Sequence, residues 1–249
     1  MARIMTYNVH RCVGVDGRLD VSRVAQVIAA AKPDVVALQE LDVGRARTGG
    51  VDQAHAIAAE VGMHVHFHAA LKVAEEQYGD AILTTAPLTF RKAGALPTSP
   101  SVRGLEPRGA LWVSAEIEGA QVQIVNTHLG LVPHEQRAQA EALVTSDWMG
   151  HPDCTDPALL VGDFNATSQH AAYRTLAGRL ADAQLEVRKR GRTLRTFPSR
   201  MPMLRIDHVF ASRSVKVKAC HVPDSPLARV ASDHLPLVVD FKVDRSRWV

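Results

Sequence analysis

Apolar residues in this chain come in short unbroken runs, and most runs end in polar groups. RIMTYNV (3–9) is such a run and predicts a buried strand. Residues 20–32 change period: Val21, Val24, Val27, Ile28 and Ala31 fall at helical spacing, with Asp20 as N-cap and Pro33 as stop. DVVALQE (34–40) then reads as a continuous apolar strand, followed by a Gly/Arg loop at 42–50 and a helix at 51–61. Further strands are predicted at 64–70, 81–85, 109–118, 122–128, 157–164, 205–212, 215–222 and 236–243. Residues 133–149 and 168–178 read as helices. Pro97, Pro100 and Pro107 mark an irregular stretch, expected as a loop beside a site. An apolar strand ending in a carboxylate occurs after a helix twice, as DVVALQE and as PALLVGDF. The two halves suggest a weak internal duplication, with two sheets sharing one core.

Composition narrows the class. The chain has 249 residues, 46% hydrophobic and 22% charged, as expected for a globular protein with a real core. That excludes a disordered chain, a collagen and a coiled coil. No apolar run nears the roughly 18 residues of a spanning helix, so no integral membrane segment is expected. The N-terminus lacks a charged-then-apolar leader pattern, and a cytoplasmic protein of one domain over 1–249 is expected. Cys12, Cys154 and Cys220 are far apart and odd in number, which excludes a disulfide framework and a CxxC zinc pattern. The net charge is +3, but residues 187–205 hold seven Lys/Arg and no acid. One segment therefore sets the sign, which points to a local anionic ligand.

The polar groups at the strand ends carry the candidate chemistry. They are Asn8, Gln39 and Glu40, Asn126 and His128, Asp163 and Asn165, and Asp207 and His208. Asp233 and His234 just precede the last strand. Carboxylates beside apolar strands are costly unless paired or metal-bound. The donors are hard oxygens with no thiolate, a set suited to Mg²⁺ or Mn²⁺ rather than to catalytic zinc.

Asn8, the QE at 39–40, NTHL at 126–129, GDFN at 162–165, RID at 205–207 and SDH at 232–234 together resemble the endonuclease/exonuclease/phosphatase superfamily. The resemblance runs from residue 3 to about 242. It implies an α/β fold, a four-layered α/β/β/α sandwich with two packed mixed β-sheets and the site at their top. It also implies metal-dependent hydrolysis of a phosphoester by in-line attack of water. By motif, Glu40 is the principal metal ligand with Asn8 beside it, and Asp233 is a further metal-side carboxylate. Asp163 positions or deprotonates the water. Asn165 and His128 hydrogen-bond the phosphate oxygens. His234 contacts the phosphate, oriented by Asp207. Tyr78-Gly79-Asp80 stands where relatives have an aromatic-Gly-Asn segment. Tyr78 is a candidate substrate contact, and Asp80 either orients His128 or sits in a turn.

Several residues also have bland readings. Asp163 and Asn165 could cap a helix, and Asp233–His234 could be a turn before Pro236. His208 is expected to pack under the site. His64, His66 and His68 alternate on one strand and are expected as a polar face rather than a metal site. Trp112 reads as strand packing. Within the basic segment Arg195 and Arg200 are the best candidates for substrate anion contacts, with Arg45, Arg47 and Arg108 weaker ones. The expected partner is a small or lipid-linked phosphoester, and no protein partner is predicted. The competing reading is a DNA or RNA nuclease, whose affinity would be dominated by phosphate contacts. No long aromatic or apolar insertion suggests groove invasion or base stacking. A non-catalytic binding module on a decayed scaffold is disfavoured because the residue set is intact.

Overall fold

The apolar runs form two six-stranded sheets, described here from a computed structural model covering residues 1–99, 102, 104–187, 193–244 and 246. Five positions of the basic segment, 188–192, lie outside the described residues, as does Pro100. The strands are β1 (Ala2–Asn8), β2 (Val35–Val43), β3 (His64–Val73), β4 (Glu76–Thr84), β5 (Leu88–Ala95) and β6 (Gly109–Ile117). They continue with β7 (Ala120–His128), β8 (Ala158–Asp163), β9 (Ala181–Asp182), β10 (Asp207–Ala211), β11 (Val215–His221) and β12 (Leu237–Val243). The helices are α1 (Val21–Ala31), α2 (Gln53–Val61), α3 (Pro133–Leu143), α4 (Ala171–Ala177), α5 (Ala183–Val187) and α6 (Ala228–Ala231).

One sheet has the order β11-β12-β1-β2-β4-β3, the other β5-β6-β7-β8-β10-β9. At the heart of each lies a parallel pair, β1 with β2 and β7 with β8, flanked on both sides by antiparallel neighbours. The pairs are joined through α1 and α3, so the suggested duplication appears in the topology. Both sheets are mixed and are flanked by helices, an α/β/β/α sandwich.

Three apolar layers hold it together. Ile4, Val35, Ala37, Leu111, Val113, Ile124, Leu159, Val161 and Val239 meet between the sheets. Their strand neighbours Met5, Val36, Leu38 and Val238 point the other way, onto Val24, Val27 and Ile28 of α1 and Ile57 of α2. On the far side Trp112, Val125, Leu160 and Phe210 pack against Ala140 and Leu143 of α3 and Leu176 of α4. Both faces of each sheet are thus covered, which is why the strands read as continuous rather than alternating runs.

The helix signals place α1 well. The Asp20 side chain accepts from Arg23 N at 3.1 Å, and Asp52 caps α2 through His55 N at 3.0 Å. α3 ends at Leu143, six residues before the predicted end. The Thr145–Ser146–Asp147 stretch that follows offers side-chain competitors to the helix ladder. The Thr145 hydroxyl donates to Ala142 O, and Asp147 N donates to Thr145 Oγ1. Strand β5 has no apolar period in its sequence, LTFRKAGA, and is an edge strand held by β6.

Candidate active site

Register brings the polar strand ends together. In the parallel pairs Asn8 lies beside Gln39, and His128 beside Asp163. Across the antiparallel pair Asp207 lies opposite Asp163. Asp163 therefore has an imidazole on one side and a carboxylate on the other. The two sheets meet at Asn8, whose Nδ2 donates to Glu40 Oε1 and to Asp163 Oδ2, each at 3.0 Å.

Asp163 is 1% exposed. Its Oδ1 accepts from Asn165 N at 2.9 Å. Its Oδ2 lies 3.5 Å from His128 Nε2 and 3.6 Å from His234 Nε2. Burial raises its pKa to about 7, against the pull of His234. His234 Nδ1 meets Asp207 Oδ2 at 2.9 Å, and that oxygen also accepts from the Thr196 hydroxyl. Burial opposes the imidazolium, but Asp207 and Asp163 outweigh it and raise the His234 pKa to about 10. The Phe197 ring packs 4.8 Å from the imidazole.

His128 is the opposite case. Arg108 Nη1 faces its Nδ1 and Asn165 Nδ2 its Nε2, both at 3.1 Å. A neutral ring can accept from only one of these donors at a time. Burial, then the charges of Arg108 and His234, hold its pKa well below the ordinary value, so the ring is neutral. Asp80 is buried in β4 and faces Arg108 and the backbone N–H of Glu40. It is not in a turn, and its link to His128 runs through Arg108. Burial raises its pKa to about 8, opposed by Arg108.

These groups line a pocket of about 380 Å³ that contains Glu40, Tyr78, His128, Asp163, Asn165, Asp233 and His234. Asp207 stands behind His234. Gln39 and Asn126 lie beneath the floor rather than in the pocket, as a tie between the sheets. Gln39 Nε2 donates to Asn126 Oδ1 at 2.7 Å, and Asn126 Nδ2 to Leu38 O and Ala81 O at 2.8 and 2.9 Å. His208 sits in the outer layer against Phe164, Tyr173 and Phe210, with Nε2 on Ala166 O at 2.7 Å. Burial, then Arg205, lowers its pKa to about 4.

Arg195 and Arg200 are outside this pocket. Both are exposed, and Arg200 reaches Val15 O at 3.3 Å. The segment turns Thr196 and Phe197 inward, leaving its arginines on the outside. The pocket's guanidinium groups are Arg47, Arg108 and Arg11, the last from the turn after β1. Arg11 and Phe197 carried no motif; proximity to Asn8 in the chain was the one signal for Arg11. On β3, His66 stacks on Phe90 at 4.6 Å. Among the described residues the one acid/histidine cluster with metal-ligand spacing is Asp163, Asp207 and His234, with one atom each within 4.8 Å.

A model of the Endonuclease/Exonuclease/phosphatase family matches residues 5–234. The chain belongs to this family. Members are generally hydrolases of phosphoesters, and the family is generally dependent on divalent metals. The chain is 30% identical to the uncharacterized protein YbhP of Escherichia coli strain K12 over 172 residues, 67% of this chain. That match spans 64% of YbhP. A crystal structure of a family protein from Beutenbergia cavernae superposes with TM-score 0.73 at 24% identity, covering 97% of this chain and 71% of that one. A mannosyl-6-phosphatase of Bacteroides thetaiotaomicron superposes with TM-score 0.74 at 19% identity, covering 97% and 100%. At these identities the family members share the fold. No helix among the described residues is long and apolar enough to cross a membrane.

Proposed function

We propose that this family member is a divalent-metal-dependent phosphoester hydrolase, with a small or lipid-linked phosphoester as substrate. The observation that carries the reading is Asp163: one buried carboxylate held by Asn8 and Asn165, with His128 and His234 both within 3.6 Å.

The donor set fits a hard cation. Glu40 and Asn8 are hydrogen-bonded neighbours on one wall, Asp233 lines the same pocket, and Asp207 Oδ1 is buried without a hydrogen-bond partner. Glu40, Asn8 and Asp233 would hold Mg²⁺ or Mn²⁺. When bound, the cation offsets phosphate charge and favours ionisation of water.

The chain's own groups do the rest. Asp163 takes a proton from water as its oxygen attacks phosphorus, and the bond from phosphorus to the alcohol oxygen breaks in line, that oxygen keeping the electron pair and taking a proton from solvent. His234 keeps its proton through Asp207 and donates a hydrogen bond to a phosphate oxygen. Asn165 and His128 orient the remaining oxygens, and neutral His128 adds no second positive charge beside His234. Charge is thus met by groups already fixed in place. Tyr78 forms the wall next to the substrate. Arg195 and Arg200 remain proposals for a larger headgroup that extends beyond the pocket.

The test is hydrolysis of p-nitrophenyl phosphate and bis-p-nitrophenyl phosphate, beside plasmid nicking, with Mg²⁺, Mn²⁺ or EDTA. Metal-dependent ester cleavage lost in His234→Ala is expected. Full turnover in excess EDTA overturns the metal requirement. Nicking that needs His234 makes the protein a nuclease.

A further inference from the structure

Backbone strain in this molecule gathers at the pocket. Eight non-glycine residues among those described have positive φ. Lys32 ends α1, and Ala74 and Glu118 sit in the β3–β4 and β6–β7 turns, where one left-handed residue is ordinary. The other five are His10, Arg11, Cys12, Glu40 and Asn165, and all but Cys12 line the pocket. Glu40 and Asn165 have roles in the hydrolysis proposed above. His10 and Arg11 have none in it.

Three successive left-handed residues, with φ of 46°, 56° and 56°, are unusual, since L-residues enter that region singly. Such strain persists only where surrounding contacts over-determine it. The contacts are present here. Gln53, fully buried, donates through Nε2 to Arg11 O at 2.7 Å and accepts through Oε1 from Asp42 N at 2.9 Å. His10 N donates to Asn8 Oδ1 at 3.0 Å. His10 Nδ1 faces Val13 O at 3.1 Å and so carries the ring proton, which leaves Nε2 to accept from Arg11 Nη2 at 2.9 Å. The turn therefore aims one guanidinium.

That guanidinium differs from the other two in the pocket. Arg47 makes a two-pronged pair with Asp42, both contacts at 2.7 Å. Arg108 pairs with Glu106 at 2.8 Å. Arg11 has no carboxylate partner among the described residues, and its buried Nε, like that of Arg108, has no hydrogen-bond partner. A merely solvated arginine needs neither a strained backbone nor a buried donor. Arg11 lies three residues from Asn8, so their Cα atoms are within about 11 Å. That is the span of one small organic molecule.

We infer that Arg11, oriented by His10, is a second anion subsite that selects phosphoesters carrying a further phosphate or carboxylate on the alcohol half. The inference rests on the hydrolase reading for its substrate, but not for the subsite itself.

The test compares wild type and Arg11→Gln on glycerol 3-phosphate, 3-phosphoglycerate and fructose 1,6-bisphosphate. Wild type should favour at least one bianionic ester over glycerol 3-phosphate by about tenfold or more in kcat/KM, mainly through KM. Arg11→Gln should cut that preference by about tenfold or more. The carboxylate and bisphosphate arms identify the anion. A wild type without preference, or a preference that Arg11→Gln leaves unchanged, overturns the inference. An oligonucleotide preferred over both bianionic esters overturns the small-molecule assignment. Inorganic pyrophosphate binding, measured by calorimetry without added metal, is independent of turnover. Arg11→Gln should weaken it about tenfold, and equal affinity refutes the subsite. If wild type cleaves none of the esters, the hydrolase reading fails while the pyrophosphate comparison still decides Arg11. Arg11→Gly separates role from folding. It relieves the left-handed φ, so it should melt about 2–4 °C higher while losing the same preference.

Discussion

In the first sheet the parallel pair β1–β2, joined through α1, carries Asn8 at the end of β1 and Glu40 at a bulge inside β2, which runs on to Val43. In the second, β7–β8, joined through α3, ends in His128 and Asp163. Glu40 is half-exposed on the pocket wall with an amide beside it. Asp163 is buried between two imidazoles and lies opposite a second carboxylate. One scaffold used twice thus offers an accessible carboxylate suited to a cation and a buried one suited to holding a proton. Depth and neighbours make the difference, and strand geometry does not.

Removing a group from the second half should have the largest effect. His234→Ala and Asp163→Asn should each lower kcat by about a hundredfold or more with the fold retained by circular dichroism. Retention of a tenth of wild-type rate in either would end the assignment. Glu40→Gln should instead shift the metal concentration needed for half-activation upward, a first-half signature. His234 also leaves a mark on stability. Its folded pKa is raised from the ordinary 6.5 to about 10, so between those values the folded state holds more protons than the unfolded. Stability of the metal-free protein should fall as pH rises through that window. In His234→Gln this contribution to the slope should vanish.

Next come substitutions that part the strands. Gly162 has φ +148°, and an added Cβ would lie 1.9 Å from Thr127 O. Gly162→Ala must push β8 from β7, the two strands that carry Asp163 and His128. A loss of about 1–3 kcal/mol in urea unfolding is expected, together with lost activity. Asn126→Leu tests the tie between halves. It removes one of three acceptors of Gln39 Nε2, which keeps Thr6 Oγ1 and Ala37 O, and the side-chain donor to the carbonyls of Leu38 and Ala81, and should cost about 1–3 kcal/mol.

Residue order reveals one part of this site and hides another. The central strands and α1 were legible because continuous apolar runs and an Asp cap have direct physical meaning. The pocket's carboxylates, amides and histidines were legible because polar groups at the ends of such runs need a partner. Asn126 looked like a ligand for the same reason, since sequence does not distinguish the top of a sheet from the layer beneath it. Arg195 and Arg200 stand out by charge density, yet the arginines that line the pocket come from three separate loops. Arg11 is set by a left-handed turn that its residue type disfavours, so no propensity rule points to it.

The smallest effect gives the control. The Asp20 side chain caps α1 through Arg23 N at 3.1 Å, on the outer layer of the first half and outside the residues lining the pocket. Asp20→Ala leaves that N–H to water and should cost about 1 kcal/mol in urea unfolding. The kcat/KM should stay within about twofold of wild type, because α1 fixes the sheet's depth while strand pairing fixes Asn8 and the bulge in β2 fixes Glu40. A tenfold loss of activity at the same stability cost would mean that the outer helix layer sets the position of the first-half carboxylate. The two halves would then differ in how their sites are held as well as in what they present.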